Sequence, residues 1–184
     1  MKLIIVDLDG TLFDTKDVNY HAYKDAITPY GYDMDYQYYC EFCNGRHYLD
    51  FLPQITTKDK ERLTAMHNAK KAVYKNHLDK AILNTGLVDI IRLMKPEYKT
   101  AIVTTASREN CYDILNQFNL LELFDLILTH DDVTKSKPDP EGFLKAMKYF
   151  GATPAETVIF EDSDVGLEAA KRSGAFYYQT YRFN

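Results

Sequence analysis

The sequence predicts an α/β protein: a Rossmann-like parallel sheet of about five strands with helices on both faces, plus a small α-helical cap. Three observations carry this expectation. Short apolar runs without polar alternation recur along the chain, as strands buried on both faces do. From about residue 85 onward these runs alternate with amphipathic helical patterns, the arrangement that builds parallel sheets through right-handed crossovers. The stretch 15–84 lacks clear strand runs, so it reads as a helical cap inserted into a catalytic core made of residues 1–14 and 85–184.

The first strand is Leu3 to Val6, ending in the polar loop Asp7-Leu8-Asp9-Gly10-Thr11. Further strands are expected at Thr100–Thr104, Asp125–Leu128, Val158–Phe160 and Ala175–Tyr178. Ser107 is placed to cap a helix carrying Cys111, Ile114, Leu115 and Phe118 on one face. Asp139-Pro140-Glu141 reads as a helix start with Asp139 as cap and Pro140 in the first position. Its apolar stripe is Phe143, Leu144, Met147 and Phe150. Ser163 or Asp164 caps a last helix that ends near Gly174. Within the insertion, the best-formed helix follows Thr57 and carries Leu63, Met66, Lys70, Val73 and Tyr74.

The bulk numbers fit a soluble globular protein: 184 residues, 46% hydrophobic and 27% charged. A net charge of -5 without a basic block argues against nucleic-acid binding. No segment approaches the length of a membrane span, and the apolar run before Asp7 is too short for a signal peptide. Three cysteines are too few for a disulfide scaffold, so a reducing, cytoplasmic setting is expected. A monomer or small homo-oligomer fits this profile.

In open parallel sheets, ligands bind at the carboxyl ends of the strands. Four such ends are chemically rich here: Asp7-Leu8-Asp9, Thr104-Thr105-Ala106-Ser107, Lys135-Ser136-Lys137-Pro138 and Glu161-Asp162-Ser163-Asp164. Five carboxylates along one sheet edge repel one another unless some are protonated or a cation joins them. Oxygen ligands suit Mg²⁺, and a lysine with hydroxyls beside it completes a site for a phosphoryl group.

These residues carry a resemblance. Asp7-Leu8-Asp9-Gly10-Thr11-Leu12 is similar to the first motif of the haloacid dehalogenase superfamily. Thr105 in Ile102-Val103-Thr104-Thr105-Ala106-Ser107 resembles the second, Lys137 in Ser136-Lys137-Pro138-Asp139-Pro140 the third, and Glu161-Asp162-Ser163 the fourth. The resemblance covers the whole core, and the insertion falls where the family places its helical cap. It implies a magnesium-dependent phosphatase acting on a small phosphorylated metabolite. Asp7 would be the nucleophile that becomes an aspartyl phosphate, and Asp9 the general acid and base. The metal would be held by the Asp7 carboxylate, the Asp9 backbone carbonyl and Asp162, with Glu161 acting directly or through water. Thr105, Ala106 and Lys137 would bind the phosphoryl group, and Lys137 would also neutralise Asp7. The acid at Asp9 favours phosphate chemistry over dehalogenation, because the dehalogenases that name the family lack it.

Several readings stay open beside these. Lys135 could serve in place of Lys137, and Thr104 in place of Thr105, since only one of two adjacent residues faces the site if the strand continues. Asp164 reads as a helix cap or a metal ligand. Cys40-Glu41-Phe42-Cys43 near His47 reads as two buried thiols or an incomplete zinc site. Eight of the fifteen tyrosines fall between Tyr20 and Tyr48, as packing or as a substrate platform. Arg46 and His47, after Gly45, are candidates to bind the substrate's leaving group, or else part of a solvated loop. A phosphomutase of a sugar phosphate would use the same motifs, although Arg46 directly follows the glycine and Tyr48 falls near the family's arginine position. A non-catalytic binding module on the same fold is the third function class.

Overall fold

The computed structural model describes residues 2–181. The chain divides into two compact units, one of residues 1–14 with 82–184 and one of residues 15–81. In chain order, β1 (Lys2–Val6) runs into a tight loop and then β2 (Phe13–Asp14). The helical unit follows with α1 (Lys16–Ile27), α2 (Tyr36–Tyr38), α3 (Tyr48–Ile55) and α4 (Lys60–Val73). The chain returns through β3 (Ile82–Leu83) and α5 (Thr85–Met94) to β4 (Tyr98–Val103) and α6 (Arg108–Gln117). It then forms β5 (Leu126–Leu128), α7 (Glu141–Phe150), β6 (Thr157–Glu161), α8 (Asp164–Ser173) and β7 (Phe176–Gln179).

Five strands make one parallel sheet in the order β5-β4-β1-β6-β7. The chain steps outward from β1 to β4 and β5, then crosses to β6 and β7 on the other side. The order therefore reverses at β1, and its carboxyl end is the switch point where such sheets bind ligands. One face of the sheet packs Leu3, Ile5, Ala101, Val103 and Ile159 against Phe143, Ala146 and Met147 of α7 and Ala169 and Ala170 of α8. Each large side chain buried there stabilises the fold by roughly 1.5–3 kcal/mol.

The strands fall where the apolar runs predict them, with small shifts at the ends. Asp125 lies before β5 and accepts from the Thr100 N–H at 2.9 Å. Ala175 precedes β7. Ser107 and Ser163 cap α6 and α8, and Gly174 ends α8 in the left-handed conformation. The start of α7 differs by one position. Pro140 occupies the cap position, while the Asp139 carboxylate still accepts from the Glu141 N–H at 3.0 Å. Leu144 is exposed, because residues 143, 146, 147 and 150 form the buried stripe and 144 is turned off it.

In the helical unit, α4 buries Leu63, Met66 and Lys70. The long helix α1 carries no clean stripe, because its inward residues Val18, Tyr20, Ala22, Tyr23, Ala26 and Ile27 are interleaved with charge. The unit's core joins Tyr20, Tyr23 and Tyr39 to Phe51, Leu52 and Met66, so these tyrosines are packing residues. Cys40 and Cys43 share one π-helical turn and are free thiols. Among the described residues, no cluster of potential metal ligands includes them. Outside this unit, β2 pairs antiparallel with β3, and Asn84 binds Leu12 and Thr11, which ties the two ends of the insertion together. No helix among the described residues is long and apolar enough to cross a membrane.

The loop before α7 is fastened by Glu141, whose carboxylate accepts from Thr134 N–H, Thr134 Oγ1 and Lys135 N–H and pairs with Lys145. These donors, the Lys145 ammonium first, hold the Glu141 pKa down to about 2 from 4.5. A depressed carboxylate contributes stability above its unfolded pKa and loses it as pH falls through its folded one. Glu141→Gln should therefore melt below wild type at neutral pH, and the gap should close as pH drops from about 4.5 towards 2. Thermal melts of both proteins across that window check this; a gap independent of pH would contradict it.

Candidate functional site

The peptide after β1 is folded back sharply. The N–H groups of Leu12 and Phe13 both donate to the Leu8 carbonyl, and Gly10 N–H donates to Phe13 at 2.7 Å. Gly10 has φ +87°, and a Cβ built there would fall inside the Asp162 carboxylate. Only glycine meets both demands. The turn brings Thr11 under Asp162, to which its hydroxyl donates at 2.9 Å.

Asp7 is 5% exposed at the carboxyl end of the central strand. Its Oδ1 accepts from Lys137 Nζ at 2.6 Å, and the same ammonium reaches Glu161 Oε2 at 2.6 Å. Lys137 comes from the loop between β5 and α7, and Glu161 ends β6, so three separate segments meet in one buried ion triad. Burial pushes the Asp7 carboxyl well above its ordinary range, Glu161 adds to this, and Lys137 offsets only part of it. Burial alone would lower Lys137, but Asp7 and Glu161 reverse that and keep the ammonium charged. Asp162 is pushed up to about 6, chiefly by burial, against the Thr11 hydrogen bond and with Glu161 adding to it. One ligand oxygen from each of Asp7, Glu161 and Asp162 lies within 4.8 Å of the others.

Glu161 is held by more than Lys137. Its Oε1 accepts from the Asp162 and Ser163 N–H groups at 3.2 Å and from Ser163 Oγ at 2.9 Å. Gly166, in the first turn of α8, leaves the space that the Glu161 carboxylate fills; a Cβ there would overlap it. This crowding is invisible in a strand-end motif, and a glycine one turn into a helix was the only trace of it.

The members of each paired alternative are placed differently in the structure. Lys137 meets Asp7, while Lys135 is exposed and near Asp139. β4 ends at Val103, so Thr104 and Thr105 are not a strand pair. Thr104 is buried and accepts from the Ala106 N–H at 3.0 Å, leaving Thr105 exposed at the turn. The two threonines line a cleft together with Lys135, Ser136, Lys137, Val103 and Phe143. Asp9 lies in the turn after β1, half-buried. Asp164 is exposed as the first residue of α8 and is not in the acidic cluster. Arg46 and His47 are exposed in the helical unit, where the His47 ring begins α3. The loop after β5 is braced against α6 by Asp131, which accepts from Arg108 N–H at 2.9 Å, and by Asp132, which binds the Arg108 guanidinium. The sequence did not single out these residues.

Comparison with known proteins bears on the family and the fold. Residues 4–178 match the family described as haloacid dehalogenase-like hydrolase. A phosphorylated carbohydrates phosphatase of Thermotoga maritima is 31% identical over 95% of this chain and 82% of its own. Fructose-1-phosphate phosphatase YqaB of Escherichia coli is 27% identical over 93% of this chain and 92% of its own. The crystal structure of CbbY from Rhodobacter sphaeroides in complex with phosphate superposes with a TM-score of 0.84 at 26% identity, covering 100% of this chain and 87% of that one. With the motifs in order along the sheet edge and the match spanning nearly the whole chain, this protein belongs to the haloacid dehalogenase-like hydrolase family.

Proposed function

We propose that this chain is a magnesium-dependent phosphatase that hydrolyses a small phosphorylated metabolite, of the sugar-phosphate class, through an aspartyl phosphate on Asp7. The observation that carries it is the buried Asp7 carboxylate, 2.6 Å from Lys137 and crowded by Glu161 and Asp162 at the switch point of the sheet. The substrate class is supported by the relatives named as phosphatases of phosphorylated carbohydrates and of fructose 1-phosphate.

The donor set fits Mg²⁺. Three carboxylates face one ammonium, which leaves a negative surplus, and all the ligand atoms are hard oxygens. Asp7, Asp162 and the Asp9 backbone carbonyl would hold the ion. Glu161 already gives one oxygen to Lys137 and the other to three donors, which favours an indirect part for it. When bound, the ion supplies positive charge that offsets both the acids and the phosphoryl oxygens.

Asp7 attacks phosphorus, the bond to the leaving oxygen breaks, and Asp9 delivers the proton that oxygen takes up. A water then attacks the same phosphorus and gives its proton to Asp9. The bond from phosphorus to Asp7 breaks, and inorganic phosphate departs. Lys137 balances Asp7 in the resting site and, with Thr105 and the Ala106 turn, binds the phosphoryl oxygens. The helical unit takes the part of a cap that excludes bulk water, with Arg46 and His47 as its candidates for the leaving group.

A phosphate-release assay over sugar phosphates tests the reading. Asp7→Asn should show no turnover, and Asp9→Asn should lower kcat by ~10²–10⁴. Near-normal turnover in Asp7→Asn would sink the mechanism, and bisphosphate-stimulated isomerisation in place of release would assign a mutase. Chelation should abolish release and added Mg²⁺ restore it. Mg²⁺ should also raise the melting temperature of wild type more than that of Asp162→Asn; equal shifts would remove Asp162 from the ion's ligands. Gly166→Ala, whose added Cβ would overlap the Glu161 carboxylate, should lower both kcat and melting temperature, and an unchanged enzyme would show the close approach to be dispensable.

A further inference from the structure

Lys137 and the Thr105–Ala106 turn lie in different loops, the first after β5 and the second after β4. The short helical turn His130–Asp132 belongs to the loop after β5 and is bonded to the other. Its His130 N–H donates to the Ala106 carbonyl at 3.0 Å. Asp131 accepts from the Arg108 N–H at 2.9 Å, and Asp132 binds the Arg108 guanidinium. The turn therefore grips the segment between β4 and α6 twice, at Ala106 and at Arg108.

Asp132 joins the most elements. Its carboxylate accepts from Thr129 N–H and Thr129 Oγ1, both at 2.8 Å, as well as from Arg108. Thr129 is 1% exposed, so its donors need an acceptor within the protein. The Asp132 carbonyl accepts from Lys145 Nζ of α7 at 2.8 Å. Lys145 also pairs with Glu141, the carboxylate that fastens Thr134 and Lys135. A continuous chain of bonds thus runs from Ala106 through Asp132 to the residues just before Lys137. Burial would raise the Asp132 pKa, but the Thr129 and Arg108 donors outweigh it and keep the carboxylate charged. Hydrogen bonds to an ionised acceptor are roughly twice as strong as neutral ones.

We propose that Asp132 is a positioning residue for phosphoryl binding: it sets the spacing between the Thr105–Ala106 turn and the Lys137 ammonium. This rests on the reading that both of these bind the phosphoryl group. Asp132 acts only through them. Groups that converge on one phosphoryl group must hold their spacing closely, since a displacement of about 1 Å can cost ~10²-fold. Asp132→Ala removes the acceptor shared by Thr129 and Arg108 and lets the two loops part.

Steady-state kinetics with inorganic phosphate as competing inhibitor, on the full chain with Mg²⁺, test this. Asp132→Ala should raise KM and the phosphate inhibition constant together, by about ten- to a hundredfold, with a smaller fall in kcat. Asp132→Asn keeps an oxygen for Thr129 but loses the charge that meets Arg108, so its rise should be smaller. Lost stability alone would lower the active fraction, which reduces kcat at an unchanged KM. Asp125 is the control: it accepts from Thr100 N–H at 2.9 Å and Thr100 Oγ1 at 3.1 Å, much as Asp132 does from Thr129, but it precedes β5 instead of following it. Asp125→Asn should lower the melting temperature and leave both constants unchanged. Wild-type constants in folded Asp132→Ala, a fall in kcat alone, or an equal rise in Asp125→Asn would each overturn the proposal. Should Asp132→Ala fail to fold, Asp132→Asn decides, and wild-type constants there would overturn it. A wild type that releases no phosphate would instead sink the function on which this rests. The rise in melting temperature on adding phosphate then decides, and a rise in the Asp132 variant equal to that of wild type would overturn the positioning role.

Discussion

The ammonium of Lys137 is the group on which the site depends. It sits at 7% exposure, where an unpaired charge is not tolerated, and it is kept there by Asp7 and Glu161. Removing one member of such a buried set costs about 3–5 kcal/mol, because the others are left uncompensated. The surroundings answer to that demand. Glu161 is held from its far side by two N–H groups and a hydroxyl, so it cannot swing away from the lysine. Gly166 stands aside for it. Glu141 clasps the backbone at Thr134 and Lys135, which fixes the loop that delivers the lysine. Gly142 lets α7 approach Val103 more closely than any side chain would allow.

The topology explains why so much charge collects at one edge. In a parallel sheet all strands end on the same side, so each loop that follows a strand is delivered to the same place. β1, β4 and β6 are adjacent, and the Asp7, Thr104–Thr105 and Glu161–Asp162 segments therefore converge without long-range instruction. The helices α6 and α8 begin there, so the positive ends of their dipoles face the same edge. Even so, the acids outnumber the cations, and Asp7 and Asp162 are both pushed upward by burial and by Glu161. A surplus of that kind is what a divalent cation offsets.

Much of this was legible in the residues, and what was not has a physical reason. β1 was visible because a strand buried on both faces is a continuous apolar run, and Asp7 was visible because it interrupts one. The order of the four strand ends was enough to single out Asp7, Lys137, Glu161 and Asp162, which the structure draws into contact or near-contact. Three-dimensional details were not. Thr104 and Thr105 would alternate faces in a continuing strand, but β4 stops at Val103, so one threonine turns in to accept from the Ala106 N–H while the other stays exposed. Hydrophobicity alone puts Leu144 on the stripe, but Ala146 holds the inward position. α1 was hidden because tyrosines do its packing, and a tyrosine reads equally well as surface. The π-helical turn at Tyr39–Cys43 left no periodic signal that could separate packing thiols from a metal motif.

The division between the sheet's two ends has a consequence for function. Every residue of the ion triad and its acidic neighbour comes from β6 and the loops after β1, β5 and β6, and none comes from β7. β7 meets the end of β6 through the sheet ladder, in which Glu161 pairs with Gln179, and through Thr180 N–H to the Glu161 carbonyl; such main-chain bonds need no particular side chain. Side chains along β7 are therefore free of the charge balance that constrains its neighbours. A change of side chain on β7 therefore leaves the partners of Lys137 as they are. The same change on β6 would reach Glu161 at once, since that residue is both the last of its strand and a partner of the buried ammonium.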